Sequence, residues 1–378
     1  MEPIRVLQVV GRMDRGGIET LIMNLYRNID RTKVQFDFLC HYGKEAEYND
    51  EIRKLGGRIF EMPTIKSSTH TYYHRIGKYA FALNKFFETH TEYKILHGHM
   101  TNTASIYMPL AKKHGIECCI AHSHLSKSRK GMSGFITDIL KYPLSKIATD
   151  YFSCSKTSSE WLFNKNLIEN DKVITLNNAV DTSLFKYDSE VRKEYRQNLN
   201  LEEKYVVGHV GRFYYEKNHS FLIEVFNEIQ KVKSNSVLLL AGDGVLMNQM
   251  KEKVEGLRLS EKVIFLGSRN DIPSLLQVMD VFVMPSHFEG LPVVGIEAQA
   301  SGLPCIFSDV ITNEIEVTNN INFYSLKESP IEWANKILKS TSNFSRKDTS
   351  HQIINNGYEI SSTAKWLQNF YIEKHFNS

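Results

Sequence analysis

Two positive side chains stand five positions apart in "GHVGRFYYEKN", residues 208–218, where an apolar run ends. The guanidinium of Arg212 is a planar fork of donors and the ammonium of Lys217 a compact point charge, and together they can neutralise a diphosphate. Taken alone, a solvated basic loop explains them better. Two carboxylates lie eight positions apart in "PSHFEGLPVVGIEAQASGLP", residues 285–304. Glu289 precedes a Gly290-Leu291-Pro292 turn, and Glu297 falls inside the helical pattern that follows. If the span between them is mostly helical, a rise of about 1.5 Å per residue separates them by roughly 12 Å. The paired acids of a retaining glycosidase need roughly 5 to 5.5 Å, so the spacing suits two ends of one extended ligand instead.

A third candidate is "GRMDRGGIET", where Gly16 and Gly17 precede a helix starting near Ile18. Bare N–H groups at a helix start suit a phosphate or sugar oxygen, although a plain tight turn has the same signature. The spacing is not the G-x-G-x-x-G of a dinucleotide fold. A fourth is "AHSH", which carries His122 and His124 at the end of an apolar run. No D-x-D triplet occurs, so no metal is expected to bridge carboxylates and a diphosphate, and no cofactor is implied.

The elements that must hold these residues read as short apolar runs alternating with amphipathic helical stretches, the pattern of parallel sheets wrapped by helices. Strands are predicted at "IRVLQVV", "QFDFLC", "GRIFEM", "KILHGH", "ECCIAH", "YFSCS" and "KVITLNN", then at "YVVGHVG", "SVLLLAG", "KVIFLG", "DVFVMPS" and "PCIFSD". The fold class is therefore α/β, with two doubly wound domains whose ligands belong at the carboxyl ends of the strands. Turn-rich and then charged sequence near 177–195 is the expected hinge. The expected domains are 1–177 and 178–357, with a closing helix at 358–378 whose Trp366, Phe370 and Tyr371 form an apolar packing side.

Length supports two domains, since 378 residues exceed one ordinary core. The five cysteines form no C-x-x-C pair, so neither a disulfide framework nor a zinc knuckle is suggested and a reducing cytoplasm fits. No apolar run approaches the roughly 18 residues of a membrane span, and the first residues lack a signal-peptide layout. Net charge is +7 over residues 1–177 and −4 over the remainder, adding to the +3 of the whole. That excess is too small, and too free of interleaved aromatics, to imply nucleic acid.

The motifs occur together and in order: "GGIET", "LNNAVD", "HVGRFYYEKN", "AGDG", "FLGSRNDIPSLLQVMDVFVMPS" and E-x7-E in "EGLPVVGIE". In this the chain resembles the retaining glycosyltransferases of family 4, of GT-B fold, along nearly its whole length. "GGIETLIMNLYR", "FDFLCH", "GGRIFEMP" and "IAHSH" resemble the branch that makes bacterial capsular polysaccharides and exopolysaccharides. The resemblance implies two Rossmann-like domains facing across a cleft and a hexosyl transfer from a nucleotide sugar, expected to be a UDP-sugar, to a saccharide or lipid-linked saccharide. It implies that Arg212 and Lys217 hold the donor diphosphate, that Glu297 bonds the ribose, and that Glu289 contacts the transferred sugar. Backbone around Phe288, Gly290 and Leu291, and at Gly16 and Gly17, would complete the phosphate cradle. His122, with His124 as its rival, would lie beside the donor sugar. A non-hydrolysing nucleotide-sugar epimerase and a silent sugar-binding protein share the architecture, but the first needs acid and base groups at the sugar's C2 and the second has no need of all four charged residues.

For the acceptor side, "LSKSRKGMSGFITDILKYPLSKIA" sets Lys127, Arg129, Lys130, Lys141 and Lys146 around Phe135, Ile136, Ile139 and Leu140. A basic amphipathic segment of this kind can lie on an anionic membrane surface, here the inner face of the plasma membrane, or can pack its apolar side into its own core.

Overall fold

The computed structural model describes residues 2–41, 45–63, 72–125, 140–141 and 143–377. Residues 126–139 and 142, and with them most of the basic amphipathic segment, lie outside the described residues. The chain forms two compact units, Met1–Asn177 with Ile360–Ser378, and Asn178–Glu359.

In the first unit seven parallel strands are β1 (Ile4–Val10), β2 (Val34–Cys40), β3 (Ile59–Glu61), β4 (Ile95–Gly98), β5 (Cys118–Ser123), β6 (Asp150–Ser153) and β7 (Val173–Thr175). Their order is β3-β2-β1-β4-β5-β6-β7, so the winding reverses between β1 and β4. The strands read as nearly unbroken apolar runs because helices cover both faces of a parallel sheet. Helix α1 (Gly17–Asn28) follows β1 and buries Leu21, Ile22, Leu25 and Tyr26 on one side. Asp37 of β2 is wholly buried and receives Arg5 Nε at 2.6 Å, Arg58 Nη2 at 2.8 Å and the Tyr93 hydroxyl at 2.7 Å. Burial alone would raise its pKa, but these donors outweigh it and hold the carboxyl down at about 2.

The second unit repeats the plan with β8 (Tyr205–Val210), β9 (Ser236–Ala241), β10 (Val263–Gly267), β11 (Val281–Met284), β12 (Cys305–Ser308) and β13 (Ile321–Tyr324). The order β10-β9-β8-β11-β12-β13 reverses between β8 and β11. Helices α2 (His219–Val232) and α3 (Val293–Ala300) carry or adjoin the candidate site. The strand β13 has no counterpart among the predicted strands.

The first crossing between the units falls at Asn177/Asn178, where the expected hinge begins, and the rest of that stretch, 178–195, belongs to the second unit. Arg192 Nη2 lies 2.5 Å from Asp280 Oδ1, and Arg196 Nη1 3.3 Å from Asp280 Oδ2, which fastens this charged stretch beside β11. The return to the first unit falls at Ile360, two residues beyond the expected start of the closing helix. The Val180 N–H donates to the Tyr358 carbonyl at 2.9 Å and Val180 bridges Glu359, so these residues stay with the second unit.

The final helix α4 (Ile360–Phe376) packs on the first unit and buries Ala364, Leu367, Gln368 and Tyr371. Trp366 was expected on that side but is 43% exposed, because the buried residues follow an i, i+3, i+4, i+7 stripe that leaves position 366 on its flank. Among the described residues, no helix is long and apolar enough to cross a membrane.

Candidate functional site

In the second unit the chain leaving β8 is drawn tightly against the chain leaving β9. Gly211 N–H donates to the Ala241 carbonyl at 2.9 Å, Phe213 N–H to Asp243 at 2.9 Å, and Leu246 N–H back to Phe213 at 3.0 Å. Glycine is required for this approach: Gly242 has φ +139°, and a β-carbon there would stand 2.1 Å from the Gly211 carbonyl oxygen. Arg212 is held at the apex, exposed, with its guanidinium carbon 5.7 Å from the centre of the Tyr214 ring. Among the described residues it has no ion-pair partner.

A short turn, Tyr215–Lys217, then docks on the chain leaving β11. His287 N–H donates to the Glu216 carbonyl at 2.8 Å, the rings of Tyr215 and His287 stack at 4.6 Å, and Asn218 Nδ2 donates to the Pro285 carbonyl at 3.1 Å. Asn218 takes a left-handed conformation, φ +54° and ψ +42°, which an asparagine tolerates, and caps α2. This docking brings Lys217 Nζ to 2.6 Å from Glu289 Oε1, with both side chains largely buried.

Phe288 and Gly290 are half-buried, and Leu291 is buried, its carbonyl accepting from Asn178 Nδ2. Helix α3 begins at Val293 after Pro292, without a side-chain cap, so its first N–H groups face outward from the helix start. The span from Glu289 to Glu297 is thus helical only over its second half, and the estimate built on a mostly helical span does not apply. Glu297 is 6% exposed, and among the described residues its carboxylate has no hydrogen-bond or ion-pair partner. Burial pushes its pKa up to about 7. A buried acceptor with no protein donor is what a pair of vicinal hydroxyls would satisfy.

In the first unit, Gly16 caps α1 in an extended conformation with no side-chain cap, and Gly17 is its first residue. His122 lies on β5, 1% exposed, within a row of four imidazoles that sequence reasoning took only in part. The parallel register pairs His97 with Ile120 and Gly98 with Ala121, so alternation puts His97, His99, His122 and His124 on one sheet face with Gln8 of β1. The repeated H-x-H in "HGH" and "HSH" on neighbouring strands was the signal available for His97 and His99. His97 Nε2 is 3.0 Å from His122 Nδ1, His99 Nδ1 is 2.8 Å from His124 Nε2, and His99 Nε2 is 2.9 Å from Gln8 Oε1. The Tyr371 hydroxyl of α4 reaches His97 Nδ1 at 2.6 Å. Burial pushes His97 and His124 down to about 3, and His99 and His122 well below their ordinary value. All four rings are neutral at pH 7.

Two Rossmann-like parallel-sheet units with these residues at their strand ends define a glycosyltransferase of GT-B type. The chain belongs to glycosyltransferase family 4: residues 15–184 match the family model Glycosyltransferase Family 4, and residues 191–360 match Glycosyl transferases group 1. It is 34% identical to EpsF of Bacillus subtilis (strain 168), described as a glycosyltransferase, over 89% of this chain and 87% of that one. It is 28% identical to the UDP-Gal:alpha-D-GlcNAc-diphosphoundecaprenol alpha-1,3-galactosyltransferase of Escherichia coli, over 94% of each. Among solved structures, Anabaena Alr3699/HepE in complex with UDP and glucose matches with a TM-score of 0.78 at 17% identity, covering 97% of this chain and 99% of that one.

Proposed function

We propose that this glycosyltransferase moves a hexose from a nucleotide sugar, a UDP-sugar by preference, to a lipid-linked saccharide in capsular or exopolysaccharide synthesis, with retention of the anomeric configuration and without a metal. The observation that carries the donor half is the convergence of Arg212, Lys217, Glu289 and the uncapped start of α3 at the carboxyl ends of β8 and β11. Arg212 and Lys217 take the diphosphate, and the N–H groups near Gly290 and Leu291 add fixed dipoles. As the bond from the anomeric carbon to the diphosphate oxygen breaks, negative charge grows on the leaving group, and these cations stabilise it most in the transition state. The acceptor oxygen forms the new bond on the same face, and its proton passes to the departing phosphate, so no separate base is needed. Glu289 holds hydroxyls of the transferred sugar and Glu297 the ribose diol. Within the first unit, His122 and the Gly16–Gly17 turn are the proposed contacts for ligand oxygens.

The lipid-linked acceptor and the α-linked product follow the printed name of the Escherichia coli relative. Peripheral contact with an anionic membrane on the cytoplasmic side is part of this proposal. The test is a panel of nucleotide sugars read by thermal shift and mass spectrometry, followed by NMR of the product's anomeric centre. Stabilisation by UDP-sugars and a retained anomer are expected. An inverted product, or no preference for any nucleotide sugar, would sink the reading.

A further inference from the structure

The histidine row contains more order than four packed rings require. We infer that Gln8, His99, Tyr371 and His97 form a one-way hydrogen-bond relay that fixes His122 in the tautomer protonated on Nε2, so that it meets its ligand as a hydrogen-bond donor. The direction follows from counting protons. Gln8 Oε1 can only accept, so the proton between it and His99 lies on His99 Nε2. A neutral His99 then carries a lone pair on Nδ1, which accepts from His124 Nε2–H. On the other side Gln8 Nε2 donates to the Tyr371 oxygen at 3.4 Å, which leaves the single Tyr371 O–H to donate to His97 Nδ1. A neutral His97 therefore holds its proton on Nε2 and donates to His122 Nδ1.

His122 is left with one proton, on Nε2. That atom is buried, and among the described residues no group accepts from it. A buried donor without a partner costs about 1–3 kcal/mol, so its retention at the end of a continuous chain points to a ligand acceptor. Chemically the acceptor is a hydroxyl or phosphate oxygen; that it belongs to the donor sugar rests on the reading above. Gln8, His97, His99 and Tyr371 are positioning residues. Turning the Gln8 amide over would reverse every bond and convert His122 Nε2 into an acceptor, so the amide is the element that sets direction.

The same rings bring nitrogens of His97, His99 and His122 within 4.8 Å of one another, a spacing a transition metal could use. In the relay, however, each of the three Nδ1 lone pairs already accepts a hydrogen bond. The relay and a metal centre are therefore mutually exclusive occupations of these atoms.

The test is long-range ¹H–¹⁵N NMR of the full-length, histidine-labelled protein at pH 7.5, roughly one unit above the ordinary histidine pKa. His122 is expected to show a protonated Nε2 and a bare Nδ1. Gln8→Glu offers only acceptors to His99 and Tyr371, which reverses the Tyr371–His97–His122 arm, so the His122 proton should move to Nδ1. Tyr371→Phe should leave His122 a mixture of tautomers and lower turnover about tenfold, the scale of one hydrogen bond. A purely packing role for these residues would leave the tautomer unchanged. His122 protonated on Nδ1 in the wild type, or a tautomer indifferent to both substitutions, would overturn the relay. So would stoichiometric Zn²⁺ uptake that His97→Gln abolishes. The tautomer is read on ligand-free protein; the donor-sugar assignment fails separately, if His122→Ala turns over at the wild-type rate.

Discussion

Lys217 Nζ and Glu289 Oε1 meet at 2.6 Å across 72 residues of sequence, with the two side chains 19% and 13% exposed. Each neutralises the other where a free charge would be costly to desolvate. On the proposed reading, a diphosphate would offer Lys217 a second anion while the carboxylate stays within reach of the sugar. On the same reading, loss of Lys217 removes one cation from the diphosphate and takes from Glu289 the ammonium it pairs with. Lys217→Ala is expected to lower turnover by roughly 10²- to 10³-fold, the range for removing one transition-state charge contact. The paired substitution Lys217→Ala/Glu289→Gln should bind UDP more tightly than Lys217→Ala alone, because the Glu289 charge is gone. Calorimetric titration of UDP into the three proteins checks this; weaker binding by the double variant would contradict it.

Glu297 gives a pH signature. Its folded pKa, about 7, stands above its ordinary 4.5 because burial disfavours the charged form. Between those values the unfolded chain has released the proton and the folded protein has kept it, so stability falls as pH rises through this window. Glu297→Gln should therefore unfold like the wild type near pH 4 and be more stable by about 1–3 kcal/mol at pH 8, measured by urea unfolding. Ribose hydroxyls donating to the carboxylate would favour its charged form. Nucleotide binding should then release a proton below pH 7, visible as a buffer-dependent heat of binding that Glu297→Gln lacks.

Much of this frame was legible because of what a parallel sheet demands. Twelve strands announced themselves as apolar runs, the inner ones because both their faces are covered, and the edge strands β3, β7 and β10 by residue type alone. The thirteenth, Ile321–Tyr324, did not: Asn322 interrupts it and is exposed, with Ile321 and Phe323 on either side only partly buried. Arg212, Lys217, Glu289 and Glu297 were each visible as residue types after strands. The Lys217–Glu289 contact was not, because the order β8-β11 that makes their loops neighbours is a property of the sheet. The protonation of Glu297 was hidden for a related reason, since it depends on what packs around α3. His97 and His99 read as strand residues until the register aligned them with His122 and His124.

Gly242 tests whether the Arg212 loop needs its backbone partner. An alanine there would be strained at φ +139° and would push its methyl into the Gly211 carbonyl, 2.1 Å away. Gly242→Ala should cost about 2–3 kcal/mol in stability and weaken UDP binding by displacing Arg212. Isothermal titration and thermal unfolding together decide it. Unchanged UDP affinity in a folded variant would mean that the loop's position does not govern donor binding.

Asp37 should dominate the acid response of the first unit. Its folded pKa of about 2 lies below its ordinary 3.8, so its contribution is complete above pH 4 and disappears as pH falls toward 2. Asp37→Asn leaves Arg5 and Arg58 without their shared anion. Both arginines are partly open to water, which holds the expected cost to about 2–3 kcal/mol at pH 7. The difference between wild type and variant should shrink steadily from pH 4 downward, as followed by circular dichroism.

Metal removal addresses the chemistry itself. A diphosphate leaving group needs positive charge, and enzymes supply it either as a bound divalent ion or as fixed side chains. On the proposed reading Arg212, Lys217 and the start of α3 are the fixed source, and the Glu289 carboxylate is already engaged by Lys217. Turnover is therefore expected to persist in excess EDTA at a rate within about twofold of that in Mg²⁺, a difference of less than 0.5 kcal/mol in the barrier. An assay with purified protein and the donor found in the panel reads this directly. Loss of activity in EDTA, restored by Mg²⁺ or Mn²⁺, would move the charge from the side chains to an ion and require a different account of Glu289.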